Sequence, residues 1–161
     1  MRFILILIIS ISTFNFSTNS PEISKKARKE LEKYYSSELL SLKEITELGN
    51  RDDLFIEVID GEKDLGIVVL TSAKGRYDLF DYMIIYNLNF EIELIKVLVY
   101  RSDYGSEITA KRWLSQFYKK EEDNFKYGSN IQAITGATFS ASSLTKNVNR
   151  INKILKEYKG D

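Results

Sequence analysis

The sequence contains neither histidine nor cysteine, and these absences exclude much of the chemistry that enzymes perform with their own side chains. No Ser-His-Asp or Cys-His nucleophile can be assembled without them. Zinc sites built on imidazole or thiolate, disulfides and thiol redox centres are excluded as well. If the protein carries out redox chemistry, the electrons must therefore reside on a bound cofactor.

Proline is nearly absent, with Pro21 as the single example, and the chain carries no excess of charge of either sign. Lysine and arginine together number 23, as do aspartate and glutamate. The sequence has no clustered basic residues of the kind that bind nucleic acid, so we expect no nucleic-acid partner. A length of 161 residues indicates one domain with a sizeable core.

Residues 1–20 differ from the rest of the chain in composition. Arg2 precedes an apolar run over residues 3–9, and small polar residues then continue to Pro21. This order is typical of a secretory signal peptide. The apolar stretch is shorter than the ~20 residues of a membrane span, although an uncleaved N-terminal anchor is the alternative. We therefore expect a domain over 21–161 that is exported to the periplasm or the outer face of the cytoplasmic membrane.

The hydrophobic pattern of the exported part predicts an α+β domain with an antiparallel sheet. Short-linked consecutive strands favour antiparallel pairing over β-α-β units. Helical spacing of apolar residues predicts an N-terminal helix, a short helix that carries Trp113 and a long C-terminal amphipathic helix. The predicted helices cover 24–40, 108–118 and 140–158, and the predicted strands cover 54–59, 65–71, 79–86 and 91–100.

The stretch Thr135-Gly136-Ala137-Thr138 lies just before the long C-terminal helix, whose first turn contains Ser140. Glycine allows a close approach of the backbone to a ligand, and Thr138 offers a hydroxyl group. The first turn of a helix has unpaired N–H groups and the positive end of the dipole, which together favour a phosphate. The stretch is therefore a candidate phosphate-binding loop, with an ordinary helix-capping turn as the alternative.

These residues resemble the FMN-binding domain family, which includes the covalently flavinylated C and G subunits of the sodium-pumping NADH:quinone reductase. The signature of that family is Ser/Thr-Gly-Ala-Thr at the start of the last helix, and residues 135–138 match it. The segment with Trp113, Gln116 and Phe117 is similar to a Trp-then-Gln-Phe segment of the family. The likeness covers about residues 65–158.

The resemblance implies that an FAD:protein FMN transferase attaches FMN to Thr138 through a phosphoester. Thr135, Gly136 and Ala137 would shape the phosphate loop, and Ser140 would cap the helix or bond the phosphate. The protein would then be an electron carrier between a membrane donor and a partner reductase, rather than a self-contained enzyme.

Several residues leave this assignment open. The family commonly has aspartate six residues before the acceptor, where this chain has Gln132. That difference favours the alternative of an exported module without a cofactor, and a small oxidoreductase with non-covalent FMN is a further alternative. Tyr104 either stacks on the flavin or is an exposed turn residue. Trp113 either flanks the flavin or packs in the core. Arg76 is expected in a solvated loop, with a role near the flavin as the alternative.

Overall fold

The computed structural model describes residues 20–119 and 124–159, so the predicted signal peptide over 1–20 lies outside the described residues except for Ser20. The described residues form an antiparallel sheet whose five strands lie side by side in chain order. Helices at both ends of the domain complete an α+β fold, which confirms the predicted fold class. None of the helices in this described part is long and apolar enough to cross a membrane.

The secondary-structure elements have the following bounds. The strands are β1 (Leu40–Glu44), β2 (Asp53–Asp60), β3 (Lys63–Lys74), β4 (Leu79–Tyr86) and β5 (Ile92–Val99). The helices are α1 (Lys25–Tyr35), α2 (Lys111–Leu114) and α3 (Thr138–Lys159), and 3-10 turns cover Ser106–Thr109 and Ser115–Phe117 on either side of α2. The predicted helix over 108–118 is therefore three short helical pieces.

The N-terminal helix is shorter than its prediction. Ser24 is the N-cap, because its side chain accepts a hydrogen bond from the N–H of Ala27. The helix ends at Ser36, which adopts the left-handed conformation with φ 55°. Leu40, predicted as the end of this helix, instead begins β1, a strand that the sequence analysis missed. Leu40 and Leu42 are buried there while Ser41 between them is exposed, as expected for a strand with one covered face.

The sheet has a helix layer on each face. One apolar cluster contains Ala27 and Leu31 of α1 together with strand residues such as Val58, Val68 and Met83. The other contains residues of α2 and α3 packed against the alternate strand positions. Its largest members include Phe55, Phe80, Tyr82, Tyr86, Trp113, Phe117, Leu144 and Ile151. The two-residue period of the strands thus assigns neighbouring residues to opposite cores.

Gly66 in β3 allows a close backbone approach. Its φ is +141°, a backbone angle that residues with a side chain rarely adopt. A Cβ atom at this position would lie 2.1 Å from the carbonyl oxygen of Tyr86. The register of β2 against β3 shifts nearby, between Val58 and Ile59. Glycine at this position therefore allows β3 and β4 to meet.

The outer edge of β5 is closed by the segment that follows α2. The hydroxyl of Tyr118 accepts a hydrogen bond from the N–H of Ile95 at 3.2 Å and donates to the carbonyl of the same residue at 3.3 Å. The N–H of Lys119 donates to the carbonyl of Ile92 at 2.9 Å. These bonds occupy backbone groups in the first half of β5 and so hinder pairing of this part of the edge with another chain.

A buried polar network fixes α3 on the sheet. Asp53 is 3% exposed and accepts two hydrogen bonds from the guanidinium of Arg150, both at 2.7 Å. It also accepts from the hydroxyl of Thr71 at 2.6 Å and from the side-chain amide of Asn50 at 2.7 Å. Asn147 of α3 donates to the same threonine hydroxyl at 3.1 Å. The middle of α3 is therefore tied to β2 and β3.

Candidate functional site

The Thr-Gly-Ala-Thr stretch forms a turn that leads directly into α3. The N–H of Ala137 donates to the carbonyl of Ile134, and Gly136 between them has φ +85°, a conformation that favours glycine. The carbonyl of Ala137 accepts the first helical hydrogen bond, from the N–H of Ala141 at 2.9 Å. Ala137 is therefore the N-cap residue, and its methyl group has no oxygen to pair with the N–H groups of the first turn.

The residues of this turn differ in their access to solvent. Thr135, Gly136 and Thr138 are exposed, whereas Ala137 is 1% exposed and packs into the core. Thr138 is the first residue of a helix of 22 residues. The structure thus brings an accessible hydroxyl-bearing side chain to a helix N-terminus whose cap residue supplies no acceptor.

Ser140 connects the helix start to the turn after β5. Its side chain is buried, and its Oγ lies 2.8 Å from the hydroxyl of Tyr100. That hydroxyl donates its one proton to the carbonyl of Tyr104 at 2.7 Å, so Ser140 is the donor in the first bond. A Cβ atom at Gly105 would lie 2.7 Å from the Tyr100 hydroxyl, which explains why a glycine follows Tyr104.

Three large aromatic side chains are exposed beside this helix start. Tyr77 is 64% exposed, Tyr104 is 66% exposed and Phe139 is 65% exposed. The ring centroids of the two tyrosines are 6.2 Å apart. The guanidinium of Arg76 lies 5.4 Å from the ring centroid of Tyr77 and 5.9 Å from that of Phe139. We call Tyr77, Tyr104 and Phe139 the aromatic cluster, and Arg76 connects two of its members.

A shallow cleft of about 430 Å³ lies on the other side of the turn and is lined in part by Arg112, Trp113, Gln132 and Thr135. Trp113 is 6% exposed and belongs to the core, as one of the two sequence interpretations held. Its ring N–H donates to the carbonyl of Gln132 at 2.7 Å, and the side chain of Gln116 accepts from the N–H of Gln132 at 2.8 Å. Trp113 and Gln116 therefore hold the backbone that precedes the Thr-Gly-Ala-Thr turn.

The charges near the turn are of both signs. A Cβ atom at Gly136 would lie 3.3 Å from a carboxylate oxygen of Glu107, so this carboxylate packs against the turn. Arg76 lies at the other side, against Phe139. Within residues 20–119 and 124–159, no group of three acidic side chains is arranged to hold a metal ion.

The structure brings together the residues that the sequence analysis selected. Thr135, Gly136, Ala137 and Thr138 form the turn and helix start, Ser140 lies inside it, and Tyr104 lies at its edge. Sequence reasoning missed Tyr77 and Phe139 as neighbours of the site. Phe139 directly follows the acceptor threonine, which was an available signal, whereas nothing local indicates that Tyr77 reaches Tyr104.

Comparison of the chain with models of known protein families found no match, and comparison with curated protein sequences found none either.

Proposed function

We propose that the protein is an exported electron carrier with FMN attached to Thr138 through a phosphoester. The observation that carries this proposal is the exposed Thr138 at the first position of a 22-residue helix, directly after an alanine N-cap. Its side chain is accessible to a modifying enzyme, and the N–H groups of the first turn are available to the phosphate that such an enzyme would leave.

The residues around Thr138 fit a phosphodiester. The turn at Gly136 has the positive φ that allows successive backbone N–H groups to point toward one anion, and the methyl group of Ala137 packs into the core and not on the exposed side of the turn. An esterified phosphate keeps one negative charge, which the helix dipole stabilises by about 0.3–1 kcal/mol at an exposed site. The carboxylate of Glu107 opposes this charge, so the stabilisation would come from the N–H groups of the first helical turn.

Bound FMN would supply the redox chemistry that the chain cannot provide without histidine or cysteine. The chain would hold the cofactor at Thr138, fix the phosphate turn through Trp113 and Gln116, and present the site at the surface. An exposed site suits a carrier that exchanges electrons with other proteins, here a membrane donor and a partner reductase. The signal-peptide pattern over residues 1–20 supports export, and a covalent tether would retain the cofactor outside the cytoplasm.

The test is an intact-mass measurement on the chain produced together with an active FAD:protein FMN transferase. The hydroxyl of Thr138 would displace AMP from FAD, so we expect the wild-type chain to gain the mass of one FMN less one water. Thr138→Ala should remain unmodified, and Thr138→Ser should regain the modification because it restores a hydroxyl. Thr135→Ala is the matched control, since it removes the other exposed threonine of the same turn, and it should still be modified.

Other outcomes of this measurement separate the alternatives. A flavin that copurifies with the native chain and is released on denaturation would indicate non-covalent FMN. A colourless, unmodified wild-type chain, with the transferase active on another substrate in the same cells, would exclude flavinylation and favour a module without a cofactor. Gln132→Asp then tests whether the missing carboxylate limits modification, since it restores the residue that the family commonly has.

A further inference from the structure

The aromatic cluster is an unusual surface for a soluble domain. Tyr77 follows β3, Tyr104 follows β5 and Phe139 belongs to the first turn of α3. The two tyrosine rings are in contact, the guanidinium of Arg76 links Tyr77 to Phe139, and all three rings are mostly exposed. Contiguous exposed apolar surface commonly marks a binding site. An exposed aromatic ring also offers a large flat contact area to a planar ligand. Because the ring is rigid, its side chain loses little conformational entropy on binding.

The segments that carry the cluster are fixed rather than loosely attached. The N–H of Lys74 donates to the hydroxyl of Ser143 at 3.0 Å, which joins the end of β3 to α3. Tyr100 joins Ser140 of α3 to the carbonyl of Tyr104. The backbone of Tyr104 is therefore linked to the helix that carries Thr138 through Tyr100. Tyr77 lies three residues beyond Lys74, in a loop closed by a hydrogen bond from the N–H of Gly75 to the carbonyl of Asp78 at 2.8 Å. The cluster is pre-organised for a ligand.

Arg76 gives the cluster a positive charge. Its guanidinium lies against the rings of Tyr77 and Phe139, and among the residues that the structure describes it has no carboxylate partner. A planar group with a partly negative edge would contact the rings with its face and the guanidinium with that edge. The ring system of a flavin has this combination of a flat apolar face and carbonyl-bearing edge.

We infer that the aromatic cluster and Arg76 form the surface on which the ring system of FMN tethered at Thr138 lies. This inference rests on the proposed function. Phe139 is the next residue after Thr138, so the cluster begins about 3.8 Å along the backbone from the attachment point. The cleft beside Thr135 is the competing location, but its one large aromatic side chain, Trp113, is 6% exposed and offers little ring surface.

The inference is tested first on the loaded protein by flavin fluorescence. A tyrosine ring in contact with a flavin quenches its emission, so the loaded wild-type protein should be several-fold less emissive than free FMN. Tyr77→Leu and Tyr104→Leu should each restore part of the emission. Arg112→Ala is the matched control, because Arg112 is an exposed residue of the competing cleft, and it should leave the emission unchanged.

A second measurement is independent of covalent attachment. Riboflavin has the ring but no phosphate, so it cannot be esterified, and it is titrated into the unmodified wild-type chain. We expect Tyr77→Leu to weaken riboflavin binding by about tenfold, the effect of losing one ring stack, which corresponds to about 1.4 kcal/mol. Circular dichroism of each variant verifies that it folds.

The outcomes separate this inference from the proposed function. Emission that responds to Arg112→Ala and not to the tyrosine variants would overturn the inference while leaving the attachment at Thr138 intact. If intact mass shows no attached FMN, the proposed function fails, and the riboflavin titration alone decides whether the aromatic cluster binds a flavin ring. Absence of riboflavin binding, or binding that Tyr77→Leu leaves unchanged, would then overturn the inference as well.

Discussion

The buried contact between Asp53 and Arg150 allows a quantitative prediction for Asp53→Ala. The substitution removes two charge-assisted hydrogen bonds to the guanidinium at 2.7 Å and the acceptor for Thr71 and Asn50. Breaking a fully buried ion pair costs about 3–5 kcal/mol. The side chain of Arg150 is 45% exposed and can be rehydrated, so we expect a smaller loss, about 2–3 kcal/mol.

The assay is thermal and urea unfolding of the wild type and the variant. A loss of this size lowers the midpoint temperature by about 4–12 °C in a domain of this length. Asp81→Ala is the matched control, because Asp81 also pairs with an arginine, Arg101, but both side chains are at least 34% exposed. An exposed pair contributes about 0–1 kcal/mol. Equal losses for the two variants would refute the claim that burial makes the Asp53 contact important.

The same contact predicts a pH dependence. Burial raises the pKa of Asp53, but hydrogen bonds from Arg150, Thr71 and Asn50 outweigh it, and the pKa of the folded state lies below its ordinary value. A lowered pKa stabilises the fold above the ordinary pKa of aspartate, and this stabilisation is lost as the pH falls through the folded-state pKa. The stability difference between wild type and Asp53→Ala should therefore shrink as the pH falls below the ordinary pKa of aspartate, about 3.9, toward the folded-state pKa. A difference that stays constant over this range would contradict the assignment.

Two further predictions concern the backbone. Gly66→Ala should destabilise the fold by about 3 kcal/mol, because the Cβ atom of the alanine would lie 2.1 Å from the carbonyl oxygen of Tyr86. A urea-unfolding midpoint close to that of the wild type would contradict this prediction. Trp113→Phe should cost about 1–3 kcal/mol, since it removes both ring volume in the core and the hydrogen bond to Gln132. Faster amide hydrogen exchange over residues 132–137, relative to exchange in β4, is the expected result; unchanged exchange there would show that the indole does not hold the turn.

Local patterns were sufficient to predict most of the fold. Ser24 has a capping side chain, and the hairpin of β2 and β3 has two apolar runs separated by an Asp-Gly turn, so both could be located from sequence. The strand β1 could not be located from sequence, because the leucines that follow the N-terminal helix are compatible with helix as well as strand. What decides between them is the left-handed Ser36 and the pairing of Leu40 with Asp60, a contact between distant residues.

The candidate site likewise has one part that local sequence determines and another that tertiary packing determines. The turn at residues 135–138 and its helix are adjacent in sequence, so their geometry follows from local rules for glycine and for helix starts. The contact of Tyr77 with Tyr104, and that of Arg76 with Phe139, depend on how β3, β5 and α3 pack. The sequence could indicate where an anion would bind but not which side chains would surround the rest of a ligand.

The chain order of the strands also bears on how the protein is made. Each strand pairs with the one before it, so the sheet can form progressively from its N-terminal strand once the chain is free to fold. The sheet face that carries Tyr82 and Tyr86 is covered last, because the helix that covers it, α3, begins only at Thr138. Docking of α3 is also the step that brings the helix start against the turn formed by Tyr104 and Gly105. An enzyme that recognises this surface would therefore modify molecules in which α3 has docked and would not modify incompletely folded ones.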